Sequence, residues 1–196
     1  MARSRSAGGG ALAPPAEPSD LDARLADPDA DPESVARTIC LRLLTARART
    51  RAELHQALAA RGVPEQASTK VLDRLADVGL VDDHAFAGDY VSSRQRDRGL
   101  AVREISRQLR DKGVDEAVIT AAVSGIGLEA EAAAARQLVA RKLRSMTRLA
   151  PEVKTRRLVG MLARKGYSPS MAFQVVRDAV GAAGEDTGPD ETAWLA

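Results

Sequence analysis

Aromatic side chains are nearly missing from this chain, which holds two phenylalanines, two tyrosines and one tryptophan among 196 residues. Platforms for single-stranded nucleic acid stack bases on aromatic rings, so that architecture is disfavoured. Cysteine is rarer still: Cys40 stands alone, which excludes an internal disulfide and any metal site built on paired thiolates. His55 and His84 are too far apart in sequence to read as a zinc motif. No stretch approaches the roughly 20 consecutive apolar residues a membrane helix needs. Arg3 and Arg5 are followed by no apolar run of the kind a secretory leader carries. These absences lead us to expect a cytoplasmic protein with no membrane attachment.

Catalytic groups at workable spacing are also scarce. His55 lies beside Leu54 on a short amphipathic stretch, and His84 follows Asp82 and Asp83 in the first turn of another. Both read as surface or capping neighbours. The paired aspartates suit the positive end of a helix better than a magnesium ion. The Gly8 to Gly10 run lacks the lysine and threonine of a phosphate-binding loop and reads as linker. The expectation is a protein that is not an enzyme, with no cofactor and no metal.

What the chain does have is alanine, leucine and valine, which supply most of its 44% hydrophobic content, without the β-branched runs that announce strands. An all-α fold follows. Asp31 with Pro32 starts a first helix, whose stripe is Val35, Ile39, Leu43 and Leu44. Thr50 and Glu53 have capping-box spacing before Leu54 and Leu58, and Gly62 closes that helix. A third runs from about Pro64 with Val71, Leu72 and Leu75 inward and stops at Gly79. The plan then recurs, with Phe86, Tyr90 and Val91, then Ile105 and Leu109, then Val118, Ile119, Ala122 and Val123. It recurs again with Leu138, Val139 and Leu143, then Val153, Leu158, Met161 and Leu162, then Phe173, Val175, Val176 and Val180.

The recurrence is visible in the letters. LAARGV at Leu58 to Val63, LRDKGV at Leu109 to Val114 and LARKGY at Leu162 to Tyr167 are spaced 51 and then 53 residues apart. One such segment is an ordinary helix end; three, each followed by a further apolar helix, indicate tandem three-helix modules forming an elongated, curved, solenoid-like molecule. The expected division is a disordered acidic and proline-rich arm at 1–32, modules at 33–81, 82–126 and 127–184, and an acidic disordered tail at 185–196. Phe86, Tyr90 and Phe173 are expected in the core, and Trp194 in the tail.

The overall charge of +2 conceals a division. Pro14 to Glu33 carries seven acids against Arg24 alone, whereas Arg136 to Lys165 carries ten bases against Glu152 alone. Two basic groups stand out as a partner-binding surface for phosphates or acidic protein. The first is Arg94, Arg96, Arg98, Arg103, Arg107, Arg110 and Lys112. The second is Arg141, Lys142, Arg144, Arg148, Lys154, Arg156, Arg157, Arg164 and Lys165. Charge reversal at Arg107 and Arg156 is the expected test of that surface.

From Gly79 to Phe86 the chain reads GLVDDHAF and continues through Tyr90, Arg94 and Gly99 to Ile105, Leu109, Lys112, Gly113 and Val114. This succession resembles the RecX family of regulatory proteins over roughly Val35 to Val180, most clearly between Val71 and Val123. The resemblance implies a modulator of the RecA recombinase. Such a protein would lie against the RecA filament, contact single- or double-stranded DNA there as well, and limit strand exchange and the coupled ATP hydrolysis, with consequences for DNA repair and the SOS response. The chain would act as a monomer. The alternative is an independent DNA-binding protein of the helix-turn-helix kind, although the most basic segments are not consistently third in their triplets.

Overall fold

The structure is a computed structural model that describes residues 31–185; the expected acidic arm before Asp31, the Gly8 to Gly10 linker, the tail after Glu185 and Trp194 lie outside the described residues. Among the described residues there are nine helices and no strand. They are α1 (Pro32–Ala46), α2 (Arg51–Ala59), α3 (Glu65–Asp77), α4 (Asp83–Arg98), α5 (Val102–Asp111), α6 (Glu116–Val123), α7 (Leu128–Leu143), α8 (Pro151–Arg164) and α9 (Pro169–Glu185).

The helix starts follow the local chemistry. The Asp31 carboxylate accepts from the Glu33 and Ser34 amides with Pro32 behind it, and Asp82 and Asp115 cap α4 and α6 in the same way. Thr50 and Glu53 form a complete capping box, each side chain taking an amide the first turn leaves unpaired. The ends of α2, α5 and α8 explain the repeated letters. The amide of the residue after glycine (Val63, Val114 or Tyr167) donates to the carbonyl of the leucine five residues back (Leu58, Leu109 or Leu162) at 3.2, 3.1 and 3.2 Å. Gly62, Gly113 and Gly166 take φ of 75°, 73° and 90°, a conformation that costs other residues about 1–2 kcal/mol. Each of those leucines is fully buried, so the motif joins a core anchor to a chain reversal.

Three separate hydrophobic clusters result. Ile39, Cys40, Leu54, Leu58, Val71 and Leu72 fill the first triplet. Ala87, Val91, Ile105, Leu109 and Ile119 fill the second, with Phe86 and Tyr90 packed at its edge. Leu138, Val139, Leu158, Leu162, Tyr167 and Val176 fill the third. The helix pairs that pack extensively all lie within a triplet.

The triplets are joined instead by small polar junctions that follow one rule: the glycine turn of one triplet sits on the start of the middle helix of the preceding triplet. Thr50 Oγ1 donates to the Lys112 carbonyl at 2.7 Å, and Lys112 Nζ reaches Glu53 at 2.7 Å. The Asp83 carboxylate accepts from the Arg51 amide at 2.9 Å. At the second junction the Ala101 amide donates to the Lys165 carbonyl at 2.9 Å, Glu131 accepts from the Val102 amide, and the Tyr167 hydroxyl donates to the Gly99 carbonyl. A Cβ on Gly113 would collide with that of Ala52, and one on Gly166 would lie 2.5 Å from that of Glu104; around Gly62, in the first described triplet, there is nothing within 4 Å.

Candidate partner-binding surface

The two basic groups meet different fates. In the second triplet most cations are engaged within the molecule. Arg107 is clamped between Glu104 at 2.8 Å and Asp111 at 2.7 Å, and Arg110 is held by Glu116 at 2.6 Å. Lys112 belongs to the first junction, where it pairs with Glu53 and lies over the Phe86 and Tyr90 rings. Arg94 stacks on Tyr90 with its guanidinium 4.4 Å from the ring centroid, and Arg96 donates back to the Ser92 carbonyl. Arg98 and Arg103 are exposed and make no ion pair among the described residues.

These pairings shift the titrating groups. Bonds from Arg107 and Gln108 hold the Glu104 carboxyl down at about 2, against the small opposing effect of burial. Burial raises the Glu53 carboxyl, but the bond and charge of Lys112, helped by Arg47, leave it below its usual value.

The third triplet is different. Arg141, Lys142, Arg144, Arg148, Lys154, Arg156, Arg157 and Arg164 form no salt bridge among the described residues, where the ion pairs lie elsewhere. All but the half-buried Lys154 are exposed. Lys165 donates to the Arg98 carbonyl at the second junction. Its ammonium is pushed below its ordinary value by burial first and then by the like charges of Arg141 and Arg98.

Besides a depression lined by Gln137, Ala140, Arg141 and Arg144, two adjoining ones lie on this basic face. One, of about 490 Å³, is bordered by Lys142, Arg156, Arg157 and Arg164, with Met146, Leu149 and Met161 beneath them. The other, of about 650 Å³, is mostly apolar, with Pro151, Val159 and Phe173 among its walls together with Glu152 and Thr155. They share Arg156 and Gly160, so they meet along α8. Phe173 corrects the expectation of a core residue: it is 59% exposed, because Ala172, Val175 and Val176 take the inward face of α9 and turn position 173 outward. A position-by-position comparison of the three modules would have found it in the sequence. Among the described residues no group of three histidine, cysteine or carboxylate side chains converges as a metal site would require, and no single helix is long and apolar enough to cross a membrane.

Comparison with known proteins bears directly on these triplets. Family models for the first, second and third three-helix domains of RecX match residues 36–75, 82–123 and 129–176. The chain belongs to the RecX family. The regulatory protein RecX of Streptomyces coelicolor is 52% identical over 86% of this chain and 90% of its own length. That of Mycobacterium avium is 55% identical over 74% of this chain and 84% of its own. Two crystal structures share the fold. RecX from Lactobacillus salivarius has a TM-score of 0.67 at 20% identity, covering 76% of this chain and 97% of that one. A second regulatory protein RecX has a TM-score of 0.64 at 26% identity, covering 76% and 73%. The RecX models fall on the helix triplets, and the basic depressions lie within the third RecX domain.

Proposed function

We propose that this RecX-family protein binds the RecA recombinase filament and restrains its recombination and ATPase activity, acting in the cytoplasm as a monomeric regulator and not as an enzyme. The observation that carries this reading is the third-domain surface, where eight cations on one triplet form no salt bridge among the described residues. Charge left uncompensated costs stability through self-repulsion and gains only when an acidic or phosphate-bearing partner meets it. A succession of helix triplets suits an extended partner such as a filament. The protein would shift the filament toward capped or disassembling states only as far as it binds those states better. Contact with DNA in the filament draws on the same cations.

The test is RecA ATPase on single-stranded DNA with this protein added far below one molecule per protomer. A fall in turnover is expected. Unchanged turnover, with tight binding to DNA alone whose affinity drops with salt by a slope of about 0.9 per phosphate contacted, would overturn this reading in favour of an independent DNA-binding module.

A further inference from the structure

The third triplet departs from the repeat at three places, and all three border the joined depressions on α8. The first departure is length. Leu58 lies seven residues beyond the start of α2 and Leu109 seven beyond the start of α5, but Leu162 lies eleven beyond the start of α8. The extra turn brings Pro151 to the rim of the apolar depression. The second is Gly160. The repeat places Gln56 and Arg107 at this position, both good helix formers. Glycine inside a helix weakens it, and here no cap, turn or positive φ calls for one. Its Cβ position meets only Arg164 Nη1, at 3.5 Å. The third is Phe173, which occupies the place of Thr69 and Thr120. All three are exposed, and only the last is apolar.

A longer helix, a residue without a side chain and an outward aromatic together line one trough, and none of the three occurs at the equivalent positions of the other two triplets. Over Gly160 a ligand can approach the α8 backbone closely. On one side lies an apolar pocket large enough for a bulky side chain, and on the other a rim of four cations with methionine beneath. A nucleic-acid strand would use the cations but would meet a single aromatic ring for stacking, in a mostly apolar depression whose lining also holds the Glu152 carboxylate, Thr155 and Arg156, a poor match for bases and phosphates. An acidic polypeptide with one apolar anchor uses both halves: its carboxylates face Lys142, Arg156, Arg157 and Arg164 while its anchor packs against Phe173, Val159 and Pro151.

We propose that the trough across Gly160 is a docking site for an acidic peptide segment of a partner protein, seated by one large apolar side chain beside Phe173. This rests on the partner-binding reading of the third domain and gives that partner its chemistry.

The experiment titrates the full chain with a fluorescein-labelled synthetic peptide of aspartate and glutamate interrupted by one phenylalanine. The controls are the same peptide with serine in place of phenylalanine, and an oligothymidylate. The phenylalanine peptide should bind about tenfold more tightly than the serine peptide, the usual worth of a buried anchor. Phe173→Ser should abolish that difference. Gly160→Leu, which favours the helix but fills the trough, should keep or raise the thermal midpoint while weakening peptide binding by a similar factor. Equal binding of the two peptides, undiminished binding by Gly160→Leu, or preference for the oligothymidylate would each overturn the proposal. Stronger binding after deletion of residues 186–196 would also overturn it, by assigning the trough to this chain's own acidic end. The titration contains no recombinase, so a failure of RecA inhibition with intact peptide binding would count against the RecA reading alone.

Discussion

At the scale of single residues, the three glycines of the repeated motif look equivalent in sequence and are not equivalent in the fold. Each needs its left-handed conformation, but only Gly113 and Gly166 also need to lack a side chain, because a neighbouring triplet presses on them. Gly62→Ala should therefore cost only the conformational penalty, about 1–2 kcal/mol in urea denaturation. Gly113→Ala adds a collision with Ala52 and should cost clearly more, with loss of the Lys112 contact to Thr50. Equal losses at the two positions would mean that the junction yields without resistance. Glu104 offers a second residue-level test. Its carboxyl is held at about 2 in the native protein against an ordinary 4.5, so between those values the folded state binds fewer protons than the unfolded. Its contribution is complete above about pH 4.5 and is lost as pH falls toward 2. The thermal midpoint followed by circular dichroism should fall less steeply over that range in Glu104→Gln than in the parent.

At the scale of elements, helix starts in this protein serve twice. The first turn of α2 satisfies its own amides through Thr50 and Glu53, then uses the same two side chains to bind the turn of the next triplet. Thr50 is completely buried although it begins an exposed-looking helix. Thr50→Ala should lose the cap, about 1 kcal/mol, and with it a buried bond across the junction, leaving the Lys112 carbonyl without that donor. Thr50→Ser keeps both bonds and should recover most of the loss in urea denaturation. If serine behaves like alanine, the methyl group and not the hydroxyl is what matters there. The second junction reaches the same end with different chemistry, since Ala101 offers a backbone amide where Thr50 offers a hydroxyl.

At the scale of the whole molecule, the distribution of carboxylates decides where positive charge remains available. Acids interleaved through the second triplet close ion pairs with Arg107 at helical spacing and with Arg110 across a turn, whereas between Arg136 and Lys165 the third has only Glu152. The two charge reversals suggested by the sequence thus separate. Arg156→Glu, on the open trough, should sharply reduce RecA inhibition with unchanged helicity. Arg107→Glu breaks solvent-exposed pairs, which screening makes weak, and should lower stability slightly while leaving most of the inhibition. An assay of ATPase inhibition beside thermal melting reads both, and matched losses of inhibition for the two variants would show that the basic surface extends across the second junction.

The helices, their caps, the glycine stops and the threefold recurrence were all written in the sequence. They are decided by groups within a few residues of one another: a carboxylate and the amides ahead of it, or a leucine and the turn that follows. The basic character of the third triplet was legible for the same reason, as a local shortage of acids. What only the tertiary structure decided was which charges are spent within the described residues and which are not; the outward Phe173 was within reach of the sequence, through its alignment with Thr69 and Thr120. Lys112 finds its partner 59 residues away at Glu53, and Arg110 reaches Glu116 across a turn between helices. The trough at Gly160 exists because an extra turn of α8, one missing side chain and the outward face of α9 come together, which depends on how α8 and α9 pack and not on their order in the sequence. Local chemistry builds each triplet, and contacts between distant segments determine what is left over to meet a partner.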